Sequence, residues 1–157
     1  MLNRLAIVIV GVPNAGKTTT LKEFCNTYYR KRVTTFKVGW RFGLEIFKGR
    51  YSGVRIDGYF IPASRTERHE YLEEQYEKVG WDPDFIFMAE QLNGSAYSDS
   101  IHFLMNNGFQ VKEFYLSNIE GDGVWDRWRN DLEMNAKLLQ RTEEIADYVR
   151  SFIKTKI

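Results

Sequence analysis

Residues 5–19 read LAIVIVGVPNAGKTT, and this stretch decides the fold. Its first six residues are all apolar, which is typical of a strand buried on both faces of a parallel sheet. A loop containing two glycines follows directly. Beyond the loop, apolar side chains recur at i, i+3, i+4 and i+7, which predicts an amphipathic helix packed back on the sheet. These side chains are Leu21, Phe24, Cys25 and Tyr28.

The loop at residues 11–18, called the 11–18 loop below, matches G-x-x-x-x-G-K-[ST] without a mismatch. Its glycines allow successive N–H groups to point into one concavity, and the helix that follows adds a partial positive charge. We expect Lys17 to bridge the β- and γ-phosphates of ATP, and Thr18 to bind Mg²⁺ through its hydroxyl oxygen. The residues predicted to bind the nucleotide are Gly11, Pro13, Asn14, Ala15, Gly16, Lys17, Thr18 and Thr19.

Strand and helix patterns alternate along the rest of the chain. Residues 85–89 and 111–116 are predicted as buried strands, separated by a helix that ends at Gly108. From Trp125 the pattern is helical to the end. The helices are expected to face inward through Tyr97, Ile101, Leu104 and Met105, and then through Leu138, Ile145, Tyr148, Val149 and Phe152. We predict one three-layer α/β domain over residues 1–157, a P-loop NTPase of the kinase type with a mostly parallel central sheet.

Two segments are predicted to serve the substrate. Glycines at 43, 49 and 53 divide residues 33–60 into short apolar pieces, which predicts a small β-meander or β-hairpin insertion that contacts substrate. Within it, Arg50 and Tyr51 are candidate substrate contacts. Residues 124–157 are predicted to form a C-terminal lid and helix.

Composition limits the classes of function. The 22 basic and 21 acidic side chains give a net charge of +1, which excludes a strong overall field for DNA but leaves room for a local basic patch. Cys25 is the only cysteine, so no intrachain disulfide can form. The apolar run at residues 5–10 is too short for a membrane span. We expect a cytoplasmic protein that does not associate with a membrane and has no obligate protein partner.

Glu90 is the carboxylate best placed for catalysis. Five apolar residues lead directly to it, so we expect it at the carboxyl edge of the sheet, helping to hold Mg²⁺ or its waters. The alternative is a solvated residue at a strand end. Asp82 and Asp84 precede the same strand and are expected at the opposite edge.

Asp57 allows two interpretations. It follows a short apolar run and precedes a glycine, so it is either an Asp-Gly turn or a carboxylate at the end of a strand that orients the accepting hydroxyl.

Arg141 is the candidate cation for the transferring phosphoryl group. It falls three residues after Leu138 on an otherwise apolar helix face, as expected of a side chain that reaches inward to phosphate. Arg127 and Arg129 are further candidates for a lid, although most surface arginines are only solvated.

Four short motifs follow the 11–18 loop in a recognisable order: KGRY at 48–51, IDGY at 56–59, FMAEQL at 87–92 and RT at 141–142. This order resembles the phage 5-hydroxymethyluracil DNA kinases, which phosphorylate the hydroxymethyl group of the base. The resemblance implies ATP and Mg²⁺ as cofactors, DNA with a modified base as partner, and Asp57 beside the hydroxymethyl oxygen. Gln91 stands where the family has glycine, and residues 140–143 lack the family's glycine and lysine.

Such a DNA substrate requires basic residues on one face and an aromatic side chain that stacks on a flipped base. The candidates are Arg41, Lys48, Arg50 and Arg55, with Trp40, Tyr51 or Tyr59 as the stacking residue. The alternative is a kinase of another hydroxyl, on a polynucleotide 5′ end, a nucleoside or a small metabolite. A non-catalytic nucleotide switch is a third class. No guanine-reading Asn/Thr-Lys-x-Asp motif is present in the sequence.

Overall fold

The computed structural model describes residues 4–11, 16–29, 40–47, 55–62, 71–91, 95–117, 124–126, 128 and 130–155. The strands are β1 (Arg4–Gly11), β2 (Trp40–Leu44), β3 (Ile56–Ile61), β4 (Phe85–Gln91), β5 (Phe109–Ser117) and β6 (Val124–Asp126). The helices are α1 (Lys17–Tyr29), α2 (Leu72–Glu77), α3 (Ser95–Asn106) and α4 (Asp131–Lys154).

The six strands form one sheet in the order β2-β3-β4-β1-β5-β6. All neighbours are parallel except β2, which runs antiparallel to β3 at the edge. The apolar run of the sequence becomes β1, and it pairs with β4 on one side and β5 on the other. The predicted mostly parallel sheet is confirmed. Because the strands are parallel, their carboxyl ends share one edge, at Gly11, Gln91 and Leu116.

Two hydrophobic cores cover the two faces of the sheet. On one face, alternate residues of β1, such as Ile7 and Ile9, pack with α1 and α4. On the other face, Ala6, Val8 and Val10 pack with residues of α2 and α3. The predicted three layers are therefore confirmed, and so is the apolar face of α1. Cys25 lies in the first core, where burial raises the pKa of its thiol to about 12 and keeps it protonated.

The prediction of a hairpin insertion at residues 33–60 is wrong in one respect. β2 and β3 do form an antiparallel pair, but β3 also pairs in parallel with β4 and so belongs to the central sheet. Asp57 and Gly58 lie within β3 rather than in a turn. The reason is tertiary: Gly58 sits where the rings of Phe60 and Phe87 stack, with centroids 5.0 Å apart. Residues 31–39 and 48–54 lie outside the described part of the chain.

Aromatic rings join the β2 side of the sheet to α1. Phe87 and Phe24 have ring centroids 5.0 Å apart, and Phe60 meets Phe42 of β2 at 5.6 Å. Phe42 in turn meets Tyr29, at the end of α1, with centroids 5.0 Å apart. We call these five rings the aromatic ladder. It makes β2, β3, β4 and α1 one packed unit.

Two helix predictions also need correction. Trp125 lies in the short strand β6, and the helix begins later, after Asn130, whose side-chain oxygen accepts a hydrogen bond from Glu133 N–H at 2.9 Å. Met105 is 59% exposed and does not face the core, whereas Leu104 is fully buried. In the part of the chain that the structure describes, no helix is long and apolar enough to cross a membrane.

Substitution of Gly58 tests the packing of β3. A Cβ there would lie 2.9 Å from a Phe87 ring carbon and 3.0 Å from Phe60, both in the buried core. We expect Gly58→Ala to lower the free energy of unfolding by about 1–3 kcal/mol through overpacking. Gly80→Ala is the matched control, because a Cβ there meets nothing within 4 Å. Urea denaturation of both variants measures the difference, and equal stabilities would contradict this account of β3.

Candidate nucleotide-binding site

The candidate site lies where the order of the strands reverses. From β1 the chain continues to β3 and β4 on one side of it, and then crosses to β5 on the other side. In α/β sheets such a switch point opens a crevice at the carboxyl ends of the strands, where ligands bind. Gly11 ends β1 at this crevice and Lys17 begins α1 there. The 11–18 loop therefore lies at the place in the sheet that favours a ligand.

The described ends of the 11–18 loop have a compact geometry. Gly16 has a φ of +90°, a left-handed conformation that favours glycine. The Lys17 ammonium donates a hydrogen bond to the Gly11 carbonyl at 3.1 Å, and the side chain is only 4% exposed. The Lys17 side chain thus reaches from the first residue of α1 back to the last residue of β1. The other predicted loop residues, Pro13, Asn14 and Ala15, lie outside the described part.

Thr18, the second residue of α1, is bonded to the residue that follows β3. Its hydroxyl donates to the Pro62 carbonyl at 2.7 Å, just beyond β3. Because the proton is committed to that carbonyl, the oxygen lone pairs are left to accept a bond or bind a cation. Thr18 and Thr19 are both exposed. Among the described residues no three His, Cys, Asp or Glu side chains form a metal-binding group, and a Mg²⁺ held by Thr18, phosphate and waters needs none.

Glu90 lies at the carboxyl edge, as predicted. It is the last residue but one of β4 and pairs with Val10, which directly precedes the 11–18 loop. The side chain does not emerge into solvent, however. Glu90 is fully buried on the face covered by α3, and its carboxylate accepts a hydrogen bond from the Ser100 hydroxyl at 2.6 Å. The alternative of a solvated strand-end residue is wrong.

Asp57 is not at the carboxyl edge, and that prediction is wrong. Gly58, the next residue, pairs with Phe85 at the start of β4, so Asp57 lies at the amino edge. At about 3.3 Å per residue, this is roughly 20 Å along the sheet from Glu90. Asp57 forms an ion pair with Arg41 at 2.7 Å, and both side chains are about half exposed. The error follows from placing the end of a strand where β3 begins. Asp82 and Asp84 do precede β4, as predicted, and both pair with Arg4.

The described residues do not assemble the predicted DNA surface. Tyr59 is 3% exposed and packs edge-on against Trp81, with ring centroids 6.0 Å apart, so it is not free to stack on a base. Arg41 is paired with Asp57, and Arg55 is paired with Glu45 at 3.1 Å. The positive charges of both arginines are therefore balanced locally. Lys48, Arg50 and Tyr51 lie outside the described part, and the side chain of Trp40 is not described.

Arg141 faces inward from α4, as the interrupted apolar stripe predicts, and is 2% exposed. Its guanidinium donates to the Thr20 hydroxyl of α1 at 3.0 Å. The indole rings of Trp125 and Trp128 lie 5.5 and 5.0 Å from the guanidinium carbon. The side chain thus contacts the first turn of α1, one turn away from Lys17. Its contact with a phosphoryl group stays a prediction, and Arg127 and Arg129 lie outside the described part.

A second polar cluster borders the carboxyl edge on the α3 face. The phenols of Tyr97 and Tyr115 both donate to the Glu113 carboxylate. Burial, followed by the bond to Glu113, raises the pKa of Tyr97, while the bond to Glu113 is the main cause that raises the pKa of Tyr115. Both phenols therefore stay protonated donors at neutral pH. Tyr115 pairs with Val10, so this cluster lies beside the last residues of β1.

Five residues at or beside the site are not predicted from the sequence: Thr20, Ser100, Glu113, Tyr115 and Trp128. Ser100 had a usable signal, because it stands between Tyr97 and Leu104 on an otherwise apolar helix face, as Arg141 does on α4. Trp128 had none, since its role depends on a contact with Gly16 that only the fold creates.

No family model matches the chain, and no curated protein and no solved structure gives a significant match.

Two features disfavour a side chain at Gly16: its left-handed φ and the nearby Trp128 indole. Gly108 has only the first of them and is the matched control. A Cβ at Gly16 would meet the left-handed φ and also lie 2.6 Å from the Trp128 indole. Gly108 has a similar φ of +81° with nothing within 4 Å. We expect Gly108→Ala to lower the free energy of unfolding by about 1–2 kcal/mol. Gly16→Ala should cost a further 1–3 kcal/mol, roughly, through the clash.

Adding Trp128→Ala to Gly16→Ala should remove that further cost. Urea denaturation of Gly16→Ala, Gly108→Ala, Trp128→Ala and the combined variant gives four values, and the clash is the loss that Gly16→Ala causes in the wild-type chain but not in the Trp128→Ala chain. Equal losses for Gly16→Ala and Gly108→Ala would show that the indole does not rest on the loop.

Proposed function

We propose that this chain is a P-loop kinase, which transfers the γ-phosphoryl group of ATP to an alcohol with the help of Mg²⁺. One observation carries the proposal: Lys17 and Thr18 begin a helix directly after the central strand, at the switch point of a mostly parallel sheet. The complete G-x-x-x-x-G-K-[ST] motif supplies the chemistry that this position favours. ATP with Mg²⁺, when bound, supplies the phosphoryl group.

Each described residue has a definite task in this proposal. Lys17, which donates to the Gly11 carbonyl, exchanges that bond for phosphate oxygens. The N–H groups at the start of α1 bind phosphate in a field that favours negative charge. Thr18 would hold the metal through its hydroxyl oxygen, whose proton is donated to the Pro62 carbonyl. Glu90 is proposed to hold the metal through its waters, with Ser100 orienting the carboxylate.

The acceptor that the family resemblance implies is the hydroxymethyl group of 5-hydroxymethyluracil in DNA. The placement of Asp57 and Tyr59 removes two of its proposed contacts, and the pairing of Arg41 and Arg55 weakens the case for a basic face. A different hydroxyl, on a polynucleotide 5′ end, a nucleoside or a small metabolite, fits the described residues equally well. The donor half of the proposal does not depend on this choice.

A transfer assay with γ-labelled ATP and Mg²⁺ tests the activity and identifies the acceptor. The acceptors are duplex DNA containing hydroxymethyluracil, ordinary DNA with free 5′-hydroxyls, and a panel of nucleosides. We expect transfer to one of them, lost in Lys17→Ala and on chelation of Mg²⁺. Label that only the modified duplex retains, and that a 5′-phosphatase does not remove, would assign the base hydroxymethyl group.

Label on ordinary ends or on nucleosides would instead assign the alternative acceptor. Slow ATP hydrolysis without any dependence on acceptor would contradict the kinase and favour a nucleotide switch. Transfer that persists in Lys17→Ala would show that the 11–18 loop is not the donor site.

Changing one carboxylate at each edge of the sheet to its amide compares the role of the carboxyl edge with that of the amino edge. Glu90→Gln keeps an acceptor for Ser100 but removes the charge, so we expect kcat to fall roughly 100-fold, as for loss of one group that stabilises the transition state. Asp57→Asn should leave kcat unchanged, because Asp57 lies at the far edge of the sheet. Its cost should be at most about 1 kcal/mol of stability, as for an exposed ion pair.

Steady-state kinetics and thermal denaturation of both variants give the comparison. A large loss of kcat in Asp57→Asn, or none in Glu90→Gln, would reverse these roles.

A further inference from the structure

The indole of Trp128 lies directly on Gly16. A Cβ added to Gly16 would be 2.6 Å from one carbon of the indole ring and 3.0 Å from the next. The ring therefore occupies the space that any side chain at Gly16 would need. Trp128 belongs to the segment between β6 and α4, far from Gly16 in sequence. Its contact joins the C-terminal part of the chain to the 11–18 loop.

Arg141 connects the same two regions by a second route. The Thr20 hydroxyl accepts a hydrogen bond from Arg141 at 3.0 Å and donates its own proton to the Gly16 carbonyl at 2.7 Å. Arg141 and Thr20 are 2% and 0% exposed, so both bonds are shielded from water. Gly16 is thus contacted at its Cα by an indole, and its carbonyl accepts hydrogen bonds from both the hydroxyl and the backbone N–H of Thr20, the latter at 3.0 Å.

The residues that hold Gly16 are themselves fixed. The guanidinium carbon of Arg141 lies 5.0 Å from the Trp128 ring and 5.5 Å from the Trp125 ring. Trp125 stacks on Phe114 of β5, with centroids 4.7 Å apart and planes 15° apart, and its indole N–H donates to Glu144 of α4. We call Trp125, Trp128 and Arg141 the Trp–Arg brace. It is anchored to β5 and α4 and ends on Gly16.

We propose that the Trp–Arg brace is a positioning device for the triphosphate, which holds Gly16 in its left-handed conformation so that the N–H groups at the start of α1 face the phosphates. Trp128 and Arg141 are positioning residues here, because they act through Gly16 and Thr20. The inference rests on the proposed function, since it assumes that the 11–18 loop binds phosphate. It also gives the buried Arg141 a role that requires no exposure to the reacting groups.

The brace acts on the part of the loop that would bind phosphates, so its effect should not depend on the base. Removing the brace should lower the affinity for inorganic tripolyphosphate and the affinity for ATP by the same factor. Contacts of this kind, away from the ligand, change affinity by roughly three- to thirty-fold. If Trp128 instead stacks on the base, its removal should lower the affinity for ATP alone.

The experiment measures the affinity of the full chain for ATP and for tripolyphosphate, both with Mg²⁺, by calorimetry. The variants are Trp128→Ala, and Trp128→Phe, which keeps a ring on Gly16. Trp81→Ala is the matched control, because Trp81 packs against Tyr59 and Arg41 on the other side of the sheet. Gly58→Ala controls for a general loss of stability.

An equal loss for both ligands in Trp128→Ala, with little change in Trp128→Phe and in the two controls, supports the brace. Loss for ATP alone overturns it in favour of a contact with the base. Unchanged affinity overturns it, and tighter binding overturns it by showing that Trp128 obstructs the site. Equal loss in Gly58→Ala would reduce the effect to stability and would also overturn the proposal.

A second pair of variants tests the hydrogen-bonded route. Thr20→Val keeps the shape of the side chain but removes the hydroxyl, and Arg141→Met removes the donor. If both act through Gly16, their effects on the affinity for tripolyphosphate should be strongly non-additive in the double variant. Additive effects would show that Arg141 does not act through Thr20.

The outcomes also separate this inference from the proposed function. If the wild-type chain binds neither ligand in a manner that depends on Lys17, both fail. If the wild-type chain binds both ligands and Trp128→Ala binds them with the same affinity, only the brace proposal fails. If binding depends on Trp128 as described but no hydroxyl is phosphorylated, the brace stands and the kinase proposal fails.

Discussion

The parallel pairing of β1 with β4 and β5 determines where every group of the site lies. Because β1 is hydrogen-bonded on both sides, its last residue, Gly11, has a fixed level in the sheet. The same register places Glu90 beside Val10 and Tyr115 on the other side of Val10. The two faces of the sheet then divide these groups. Glu90 points toward α3, whereas α1 and α4 place Lys17 and Arg141 on the other side of the crevice.

The elements that could be predicted from sequence are those whose pattern is set by burial alone. The strand at residues 5–10 is apolar throughout because both faces are covered, and the same holds for residues 85–89. The level of Glu90 followed directly from that pattern. β3 was misplaced because Asp57 and Gly58 resemble a turn, and only the stacked rings of Phe60 and Phe87 explain a glycine within the strand. The three residues of β6 are too few to show any period.

Side-chain partnerships were harder to predict than elements. The inward direction of Arg141 could be predicted from the spacing on its helix, but its partner could not. Thr20 is 121 residues away in the chain, and the two meet only because α1 and α4 pack on the same face. The same limit applies to Arg41, predicted to bind DNA, and to Asp57, predicted as a catalytic carboxylate. The antiparallel pairing of β2 and β3 places the two side chains together as an ion pair.

The aromatic ladder has a mechanical consequence for any movement around the site. Its rings join Phe42 of β2 to Phe60 of β3 and to Phe24 of α1, with closest centroids of 5.0 to 5.6 Å along the chain of contacts. Close-packed rings of this kind transmit displacement rather than absorb it. A hinge between β2, β3 and α1 would have to separate these rings. We therefore expect β2, β3, β4 and α1 to move as a single rigid body.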